Sequence, residues 1–421
     1  MDLLTPYLEQ LSAAGNFSGV ILAAEGQRQW LRAYGLADVS SGRAMTPDTP
    51  LRIGSLSKSF TAALILQLVD QGRLALEQPL RPLLPQLDLP AEITAGQLLR
   101  HRSGLANHTA LPDYWPDRMR RRWTPDQLLN DMLARPLLFA PGSDCAYSNT
   151  GYALLARLAE TVGGQPFAVQ LRQMLDSLGL SSIQDEMASP AADAARGYWL
   201  DSAWTEAEPL DISNGYGAYS LSAAAPGLLR WWRAAWRGDA LSPASRDWMF
   251  ATEDGADDFA AGWHREHGPQ GPLISHIGDV NGFIAALYAE PAQDRCVIVL
   301  SNLAQTDAWA LAETMAGLLD GQECAAPGLP APELTLPAWT DGDYLDAEGG
   351  ELSIRDGVAR MRRRYGVACS CPLLAVSSTS DACEAIADRV PEQLSFRRDA
   401  DNITLIHHCG QSRRTYRKLM V

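Results

Sequence analysis

The sequence predicts an α/β (α+β) fold in which helices flank a central antiparallel sheet and a small β domain follows at the C-terminus. Three observations support this class. A helical segment and a β-hairpin begin the chain, strands and a helix follow residue 273, and the charge balance changes after residue 337. Such an order is typical of one sheet whose strands come from both ends of a domain.

The N-terminal elements are predicted from the spacing of apolar residues. Residues 2–14 carry leucines at helical intervals, which indicates an amphipathic helix. Gly19–Ala24 and Gln29–Ala33 are β-rich runs separated by a short turn, as in a hairpin. Leu56–Leu74 is strongly apolar, so we expect a long buried helix there.

The middle of the chain, roughly residues 75–270, mixes helical patterns with proline-rich loops and predicts an all-helical insert. The pattern then changes to strands at Leu273–Ile277, Phe283–Ala289 and Cys296–Ser301, followed by a helix at Asp307–Leu319. These elements complete the predicted sheet.

Composition divides the chain into two predicted domains. Residues 1–322 form the larger domain, and residues 323–337, rich in Pro, Gly and Ala, form a linker. Residues 338–421 contain 12 acidic and 12 basic residues, so the net charge of -15 lies in the rest of the chain. Short strands separated by Gly and Asp turns predict a half-barrel or barrel in this last segment.

The charge balance excludes several partners. An acidic chain binds nucleic acid or an anionic membrane surface poorly, because such binding depends on clustered Lys and Arg.

The N-terminus lacks the basic and apolar regions of a signal peptide, and no apolar run is long enough to span a membrane. Seven cysteines without a secretory signal indicate reduced thiols, so we expect a cytoplasmic protein.

The first candidate catalytic motif contains one of only two lysines in the sequence. Ser55 and Lys58 are three residues apart at the start of the predicted buried helix, so they share one helix face. The helix N-terminus favours negative charge that develops near Ser55. A lysine made neutral by desolvation can accept the serine proton and so activate the nucleophile.

Two further motifs carry polar groups suited to substrate chemistry. Tyr147 and Asn149 lie in a predicted extended loop and point to the same side, where a phenol can transfer protons and a carboxamide can bind a substrate amide. His276 and Gly278 are placed at the end of a predicted strand, and Gly278 leaves room for a substrate beside the backbone. The N–H of Asp279 is then a candidate oxyanion donor together with that of Ser55.

Together, Ser-x-x-Lys, Tyr-x-Asn and His-x-Gly in this order resemble the serine β-lactamase and penicillin-binding-protein superfamily, in the branch of class C β-lactamases, D-aminopeptidases and related esterases. The resemblance covers about residues 5–320. Four longer stretches also resemble segments of this superfamily and occur in the same order along the chain, at residues 51–61, 98–105, 147–155 and 217–222.

The resemblance implies a β-lactamase/transpeptidase-like fold and an acyl-enzyme at Ser55, without a metal or cofactor. It implies that Lys58 and Tyr147 act as general base and acid and that Asn149 orients the substrate. D-aminopeptidases of this superfamily also carry a β-barrel domain after the catalytic one, and this chain has room for one such domain. That domain could restrict substrate size, or it could support a homo-oligomer.

One departure from the superfamily pattern affects the expected substrate. Most β-lactamases and transpeptidases have Lys-[Thr/Ser]-Gly where this chain has His276-Ile277-Gly278. A histidine is only partly cationic at neutral pH, and Ile277 has no hydroxyl, so this strand is poorly suited to a penicillin carboxylate. We therefore expect a small amide or short peptide as substrate. A carboxylesterase and a slowly turning-over β-lactam-binding sensor remain alternatives.

Other motifs do not indicate a different chemistry. The sequence has no Gly-x-Ser-x-Gly elbow and no Walker or Rossmann glycine pattern. His264-Arg265-Glu266-His267 has a spacing that differs from the i,i+4 zinc pair, and we interpret it as a solvated loop.

Overall fold

The computed structural model describes residues 4–13, 17–191, 193–200, 204–252, 258–268, 270–322, 334–347, 349–362, 368–387, 392–400, 402–409 and 412–419. The helices over these residues are α1 (Leu4–Ala13), α2 (Ser57–Asp70), α3 (Ala95–Leu99), α4 (Pro125–Leu133), α5 (Asn149–Gly163), α6 (Phe167–Ser177), α7 (Ala225–Arg237), α8 (Pro243–Phe250) and α9 (Ala308–Leu319). Within this part of the chain, no helix is both long and apolar enough to cross a membrane.

The strands of the larger domain are β1 (Gly19–Glu25), β2 (Arg28–Tyr34), β3 (Leu36–Asp38), β4 (Arg43–Ala44), β5 (Leu51–Arg52), β6 (Ile183–Asp185), β7 (Tyr198–Leu200), β8 (Trp204–Glu206), β9 (Leu221–Ala223), β10 (Asp258–Ala260), β11 (Trp263–Gly268), β12 (Gly271–Val280), β13 (Phe283–Glu290) and β14 (Arg295–Ser301). Seven of them form one antiparallel sheet in the order β10-β11-β12-β13-β14-β1-β2. The predicted sheet with strands from both ends of the domain is therefore confirmed.

Both faces of this sheet are buried. In β1, Val20 and Leu22 belong to a core that also contains Phe60 of α2, whereas Ile21 packs in a second core with Leu311 of α9. Because successive side chains of a strand point to opposite faces, a strand covered on both sides has an uninterrupted apolar run. This burial explains why the sequence of β1 does not alternate between apolar and polar residues.

The buried helix is shorter than the sequence predicts. The prediction extended it from Leu56 to Leu74, whereas α2 begins at Ser57 and ends at Asp70. Gly72 adopts a left-handed conformation with φ of 68°, and the N–H of Arg73 bonds to the carbonyl of Leu68. Such a glycine closes a helix, so the apolar residues after it continue as a loop.

The C-terminal segment forms a closed barrel of eight strands over the described residues. Its strands are β15 (Gly342–Asp346), β16 (Glu351–Arg355), β17 (Val358–Arg362), β18 (Ala368–Ser378), β19 (Ala382–Ala387), β20 (Glu392–Asp399), β21 (Asn402–Cys409) and β22 (Ser412–Lys418). The barrel alternative is therefore confirmed over the half-barrel. Most of the predicted linker, residues 323–333, lies outside the described residues, and the proposed domain boundaries stay predictions.

Strand β12 lies directly against the turn that precedes α2. A Cβ atom on Gly278 would be 1.9 Å from the carbonyl oxygen of Ile53, and one on Gly54 would be 2.5 Å from the main-chain nitrogen of Asp279. Gly278 was expected to leave room for substrate, but the backbone that approaches it closely is the chain's own. The glycine therefore sets the distance between the turn and the strand.

Replacing Gly278 with alanine should lower the free energy of unfolding by about 2 kcal/mol, because the new methyl group must displace the Ile53 carbonyl. Urea denaturation measures this change. Gly151→Ala is the matched control, since its Cβ would meet nothing nearer than 3.5 Å within helix α5 and should not destabilise the protein. Equal stability of the Gly278→Ala and wild-type proteins would contradict the packing role.

Candidate active site

Ser55 occupies a single turn of 3₁₀ helix, Gly54–Leu56, immediately before α2. The turn is held by the Ser57 hydroxyl, which donates to the Gly54 carbonyl at 2.6 Å, and by the N–H of Leu56, which donates to Ile53 at 3.2 Å. Ser55 thus lies at the N-terminal end of α2, as the sequence predicts, where the helix dipole stabilises negative charge.

Lys58 lies in the first turn of α2 and is completely buried. Its Nζ is 3.0 Å from Ser55 Oγ, 2.6 Å from Asn149 Oδ1 and 3.0 Å from the Ala218 carbonyl oxygen. None of these three partners carries a formal charge. Burial therefore lowers the pKa of Lys58 well below its ordinary value.

The three neighbours of Lys58 define the direction of its lone pair. A neutral amine has two N–H groups and one lone pair, and the oxygens of Asn149 and Ala218 can only accept hydrogen bonds. When these two oxygens take the N–H groups, the lone pair is left for the third neighbour, the hydroxyl of Ser55. The neutral lysine is then placed to accept the Ser55 proton.

Tyr147 approaches Ser55 from the other side. Its hydroxyl donates to Ser55 Oγ at 2.6 Å, and its ring centroid is 4.8 Å from Lys58 Nζ. The serine oxygen therefore lies between a phenol and an amine, each within hydrogen-bonding distance. This arrangement can remove a proton from Ser55 and return one to a leaving group.

Asn149 is the first residue of α5, and Ser148 caps that helix by accepting the N–H of Gly151 at 3.2 Å. The sequence placed Asn149 in an extended loop, but the helix begins at this residue. Its Nδ2 donates to Thr109 Oγ1 at 2.9 Å, which orients Oδ1 towards Lys58. The carboxamide thus contacts the lysine rather than lying free in the loop.

His101 supports the Tyr147 segment and was not identified from the sequence. Its carbonyl oxygen accepts the N–H of Ala146 at 2.9 Å, and its Nδ1 accepts the N–H of Ser148 at 3.1 Å. The imidazole centroid is 4.5 Å from the Tyr147 ring. Burial lowers the pKa of His101, so Nδ1 stays available as an acceptor.

No signal in the sequence distinguished His101 from other buried histidines. Its backbone has a positive φ of 58°, which is uncommon for a residue other than glycine and cannot be read from the sequence. The backbone and side chain together hold both neighbours of Tyr147, so His101 is a positioning residue for that phenol.

Ser55 opens into a cavity of about 550 Å³. The cavity is also lined by Tyr147, Asn149, His276 and Asp279, so the structure brings these predicted site residues together. Lys58 lies buried next to Ser55, and Gly278 packs against Ile53. The aromatic residues Tyr114 and Trp115 line the cavity as well.

The edge of strand β12 borders this cavity. Its pairing with β11 runs from Gly271 only as far as Ser275, whereas its pairing with β13 continues to Val280. His276 and Asp279 therefore lie where β12 is paired on one side only, among the described strands. An extended substrate can lie along such an edge by hydrogen bonding to the backbone.

His276 differs in charge from the sequence-based expectation. It was expected to be partly cationic near neutral pH, and it was placed at the end of a strand. It lies within β12, and burial lowers its pKa well below the ordinary value. His276 is therefore uncharged at neutral pH, and its Nδ1 bonds to the Ile277 carbonyl at 2.7 Å.

The interpretation of His264-Arg265-Glu266-His267 as a solvated loop is wrong. These residues belong to strand β11 and pair with residues 272–275 of β12, and both His264 and Glu266 line the cavity. A short mixed segment does not show its pairing partner in the sequence. Within the described part of the chain, no group of three or more His, Cys, Asp or Glu side chains could hold a metal ion.

Comparison with known proteins supports the assignment of the family and the fold. The family model described as Beta-lactamase matches residues 4–319. Penicillin-binding protein 4* of Bacillus subtilis is 26% identical over 362 residues, which is 78% of each chain. D-aminopeptidase of Brucella canis is 26% identical over 421 residues, covering 93% of this chain and 74% of the relative.

A solved structure extends this similarity to the barrel. The octameric penicillin-binding protein homologue from Pyrococcus abyssi has a TM-score of 0.68 and 22% identity, covering 99% of this chain and 100% of the other. The fold and the site define a serine hydrolase of the β-lactamase and penicillin-binding-protein type. The chain belongs to the β-lactamase family, as the sequence motifs indicated.

The pH dependence of turnover should report the neutral state of Lys58. Because burial lowers the Lys58 pKa below 10.5, kcat/KM for a chromogenic ester should rise with pH through that lowered pKa and then level off well below pH 10.5. A continued rise of about tenfold per pH unit towards the ordinary lysine value would contradict this account.

Two variants control this measurement. Lys58→Arg should abolish turnover at every pH, because arginine cannot lose its proton in a protein. Lys418→Met removes the other lysine, which bonds to the Trp339 carbonyl in the barrel, and should leave the profile unchanged.

Proposed function

We propose that this protein hydrolyses small amides or short peptides that carry a D-residue, through an acyl-enzyme at Ser55. One observation carries the proposal: the Ser55 oxygen lies 3.0 Å from the buried Lys58 amine, whose pKa is lowered by burial, and 2.6 Å from the Tyr147 hydroxyl. The cavity above Ser55 has the size of a small-molecule site.

In the proposed reaction, Lys58 takes the Ser55 proton while Ser55 Oγ attacks the substrate carbonyl carbon. The resulting oxyanion lies near the N–H groups of Ser55 and Asp279, whose main-chain nitrogen adjoins the Gly54 turn. Tyr147 gives its proton to the leaving amine and regains one from Lys58 as the carbon–nitrogen bond breaks. Water then attacks the ester at Ser55 and releases the acid, which restores the serine.

The substrate class follows from the charge of the cavity. His276 is buried and uncharged at the position where related enzymes carry a lysine, so this strand supplies no fixed cation for a substrate carboxylate. A substrate without that carboxylate fits better than a penicillin. The similarity to D-aminopeptidase over 93% of this chain supports an amide or peptide with a D-residue.

A carboxylesterase is the second candidate. The Asn149 carboxamide is bonded to Lys58 and Thr109, so it is already engaged in a contact other than with a substrate amide. An ester leaving group has no N–H to be recognised, so an ester needs fewer hydrogen bonds from the site than an amide does.

A β-lactam-binding sensor with slow turnover is a further alternative. It would use Ser55, Lys58 and Tyr147 in the same way and would differ only in slow deacylation. The octameric state of the Pyrococcus abyssi homologue supports self-association as a further proposal.

A panel of four substrates should separate these functions: D-alanine p-nitroanilide, its L-isomer, p-nitrophenyl acetate and a chromogenic cephalosporin. We expect the D-anilide to be preferred over the L-isomer and the cephalosporin to be the poorest substrate. Cleavage of the acetate ester alone would favour the esterase. A stable acyl adduct in the mass spectrum, without turnover, would favour the sensor.

Substitution at the nucleophile tests the mechanism in the same panel. Ser55→Ala should reduce kcat by about 1000-fold or more for every substrate, because no nucleophile remains. Ser177→Ala is the matched control on helix α6, where the hydroxyl bonds to the Met174 carbonyl, and should retain full activity. Full activity of Ser55→Ala would disprove the proposed mechanism.

The role of His276 in excluding carboxylates is tested by His276→Lys. A cation at this position should tighten cephalosporin binding by about tenfold in competition assays, since it supplies the missing charge. His276→Gln keeps the site neutral and should not tighten binding. Unchanged cephalosporin binding by His276→Lys would argue against the charge explanation.

A further inference from the structure

The cavity continues beyond Ser55 to a second group of side chains on the other face of the sheet. Glu266 of β11 and Trp309 of α9 line this outer end together with Ser275. Glu266 lies directly opposite Leu273 of strand β12, and Ser275 is two residues after Leu273 in the same strand. Side chains two residues apart point to the same face, so Glu266 and Ser275 share a face and His276 lies on the other. That face packs against α9.

Trp309 and Glu266 share their neighbours at this outer end. The Trp309 ring centroid is 5.5 Å from that of Tyr288, which is paired with Ser275. The Trp309 side chain also interacts with the Glu313 carboxylate. Burial raises the pKa of Glu313, and the negative charges of Asp307 and Glu266 contribute to the shift. The carboxylates of Glu266 and Glu313 are therefore close enough to repel each other.

The charged groups that line the cavity are acidic. Among the lining residues that the structure describes, Glu266 and Asp279 are carboxylates and none is an arginine or a lysine. The two lining histidines, His264 and His276, have pKa values lowered by burial. Glu266 takes part in none of the ion pairs formed by described residues. An anion is therefore repelled from the outer end, and a cation is attracted.

A carboxylate beside an aromatic ring is a chemical environment that recognises a cation. The carboxylate supplies charge attraction, and the face of an indole attracts an ammonium or guanidinium group through the ring quadrupole. Here the carboxylate and the indole belong to the cavity that contains Ser55, so a cation bound to them can be part of the substrate.

We propose that Glu266 and Trp309 form a subsite for a cationic group on the substrate, such as an ammonium or guanidinium. The inference rests on the proposed function, because it assigns this subsite to the hydrolase substrate. It adds to the proposed substrate a second group that the enzyme recognises, a cation that lies away from the scissile bond. Glu266 then determines specificity without taking part in proton transfer.

Matched p-nitrophenyl esters test the subsite. One ester of each pair carries a quaternary ammonium and the other a tert-butyl group of the same shape: 4-(trimethylammonio)butyrate against 5,5-dimethylhexanoate, and 6-(trimethylammonio)hexanoate against 7,7-dimethyloctanoate. We expect wild-type kcat/KM to favour the cationic ester by about tenfold in at least one pair, decreasing with added salt.

Glu266→Gln should remove most of this preference, a loss of about tenfold, and should affect kcat/KM for the neutral ester far less. Trp309→Leu should reduce the preference and Trp309→Phe should retain part of it, because phenylalanine still presents a ring face. Glu351→Gln, an exposed site in the barrel, is the control for loss of one negative charge. An unchanged preference in Glu266→Gln, or an equal loss for both esters, would overturn the proposal.

A binding measurement separates failure of the subsite from failure of the proposed function. Calorimetry with 4-(trimethylammonio)butyramide and its 6-(trimethylammonio)hexanamide homologue, on Ser55→Ala and on Ser55→Ala/Glu266→Gln, needs no turnover. Binding that is about tenfold weaker in the double variant supports the subsite even where no ester is hydrolysed. Equal binding by both proteins, or no binding by either, rejects the subsite, whatever the activity of the wild type.

Discussion

The site depends on the removal of Lys58 from water. Its amine is completely buried among neutral oxygens, and this desolvation lowers its pKa and leaves its lone pair for the Ser55 hydroxyl. The same amine would be protonated and unable to act as a base if water or a carboxylate reached it. The surrounding helices and the 217–219 turn therefore matter to the chemistry because they keep the lysine dry and supply the Asn149 and Ala218 acceptors.

Two residues, Gly278 and His101, hold the other parts of the site in register with that lysine. Gly278 allows strand β12 to lie against the Ile53 carbonyl, which sets the distance from the Ser55 turn to the cavity edge. His101 bonds to the residues on both sides of Tyr147 and so places its phenol 2.6 Å from Ser55 Oγ. Each residue thus fixes the position of a neighbouring segment that lines the cavity.

The sequence predicted elements well where the local pattern and the tertiary environment agree. The N-terminal hairpin and the three late strands occur close to their predicted bounds, since their apolar runs are buried in the sheet. The end of α2 at Asp70 depended on the conformation of Gly72, and the segment His264–His267 became a strand because β12 lies beside it. Pairing of that kind is a property of two segments, so the composition of one segment does not predict it.

The sequence by itself determined the family and indicated the groups proposed here for catalysis. Ser55, Lys58, Tyr147 and Asn149 could be chosen from motif order, and a chain with only two lysines made Lys58 conspicuous. Only the tertiary structure decided the lowered pKa values of Lys58 and His276, the supporting role of His101 and the position of Glu266 in the cavity. The physical reason is that a pKa depends on desolvation and neighbouring charges, and both come from residues distant in sequence.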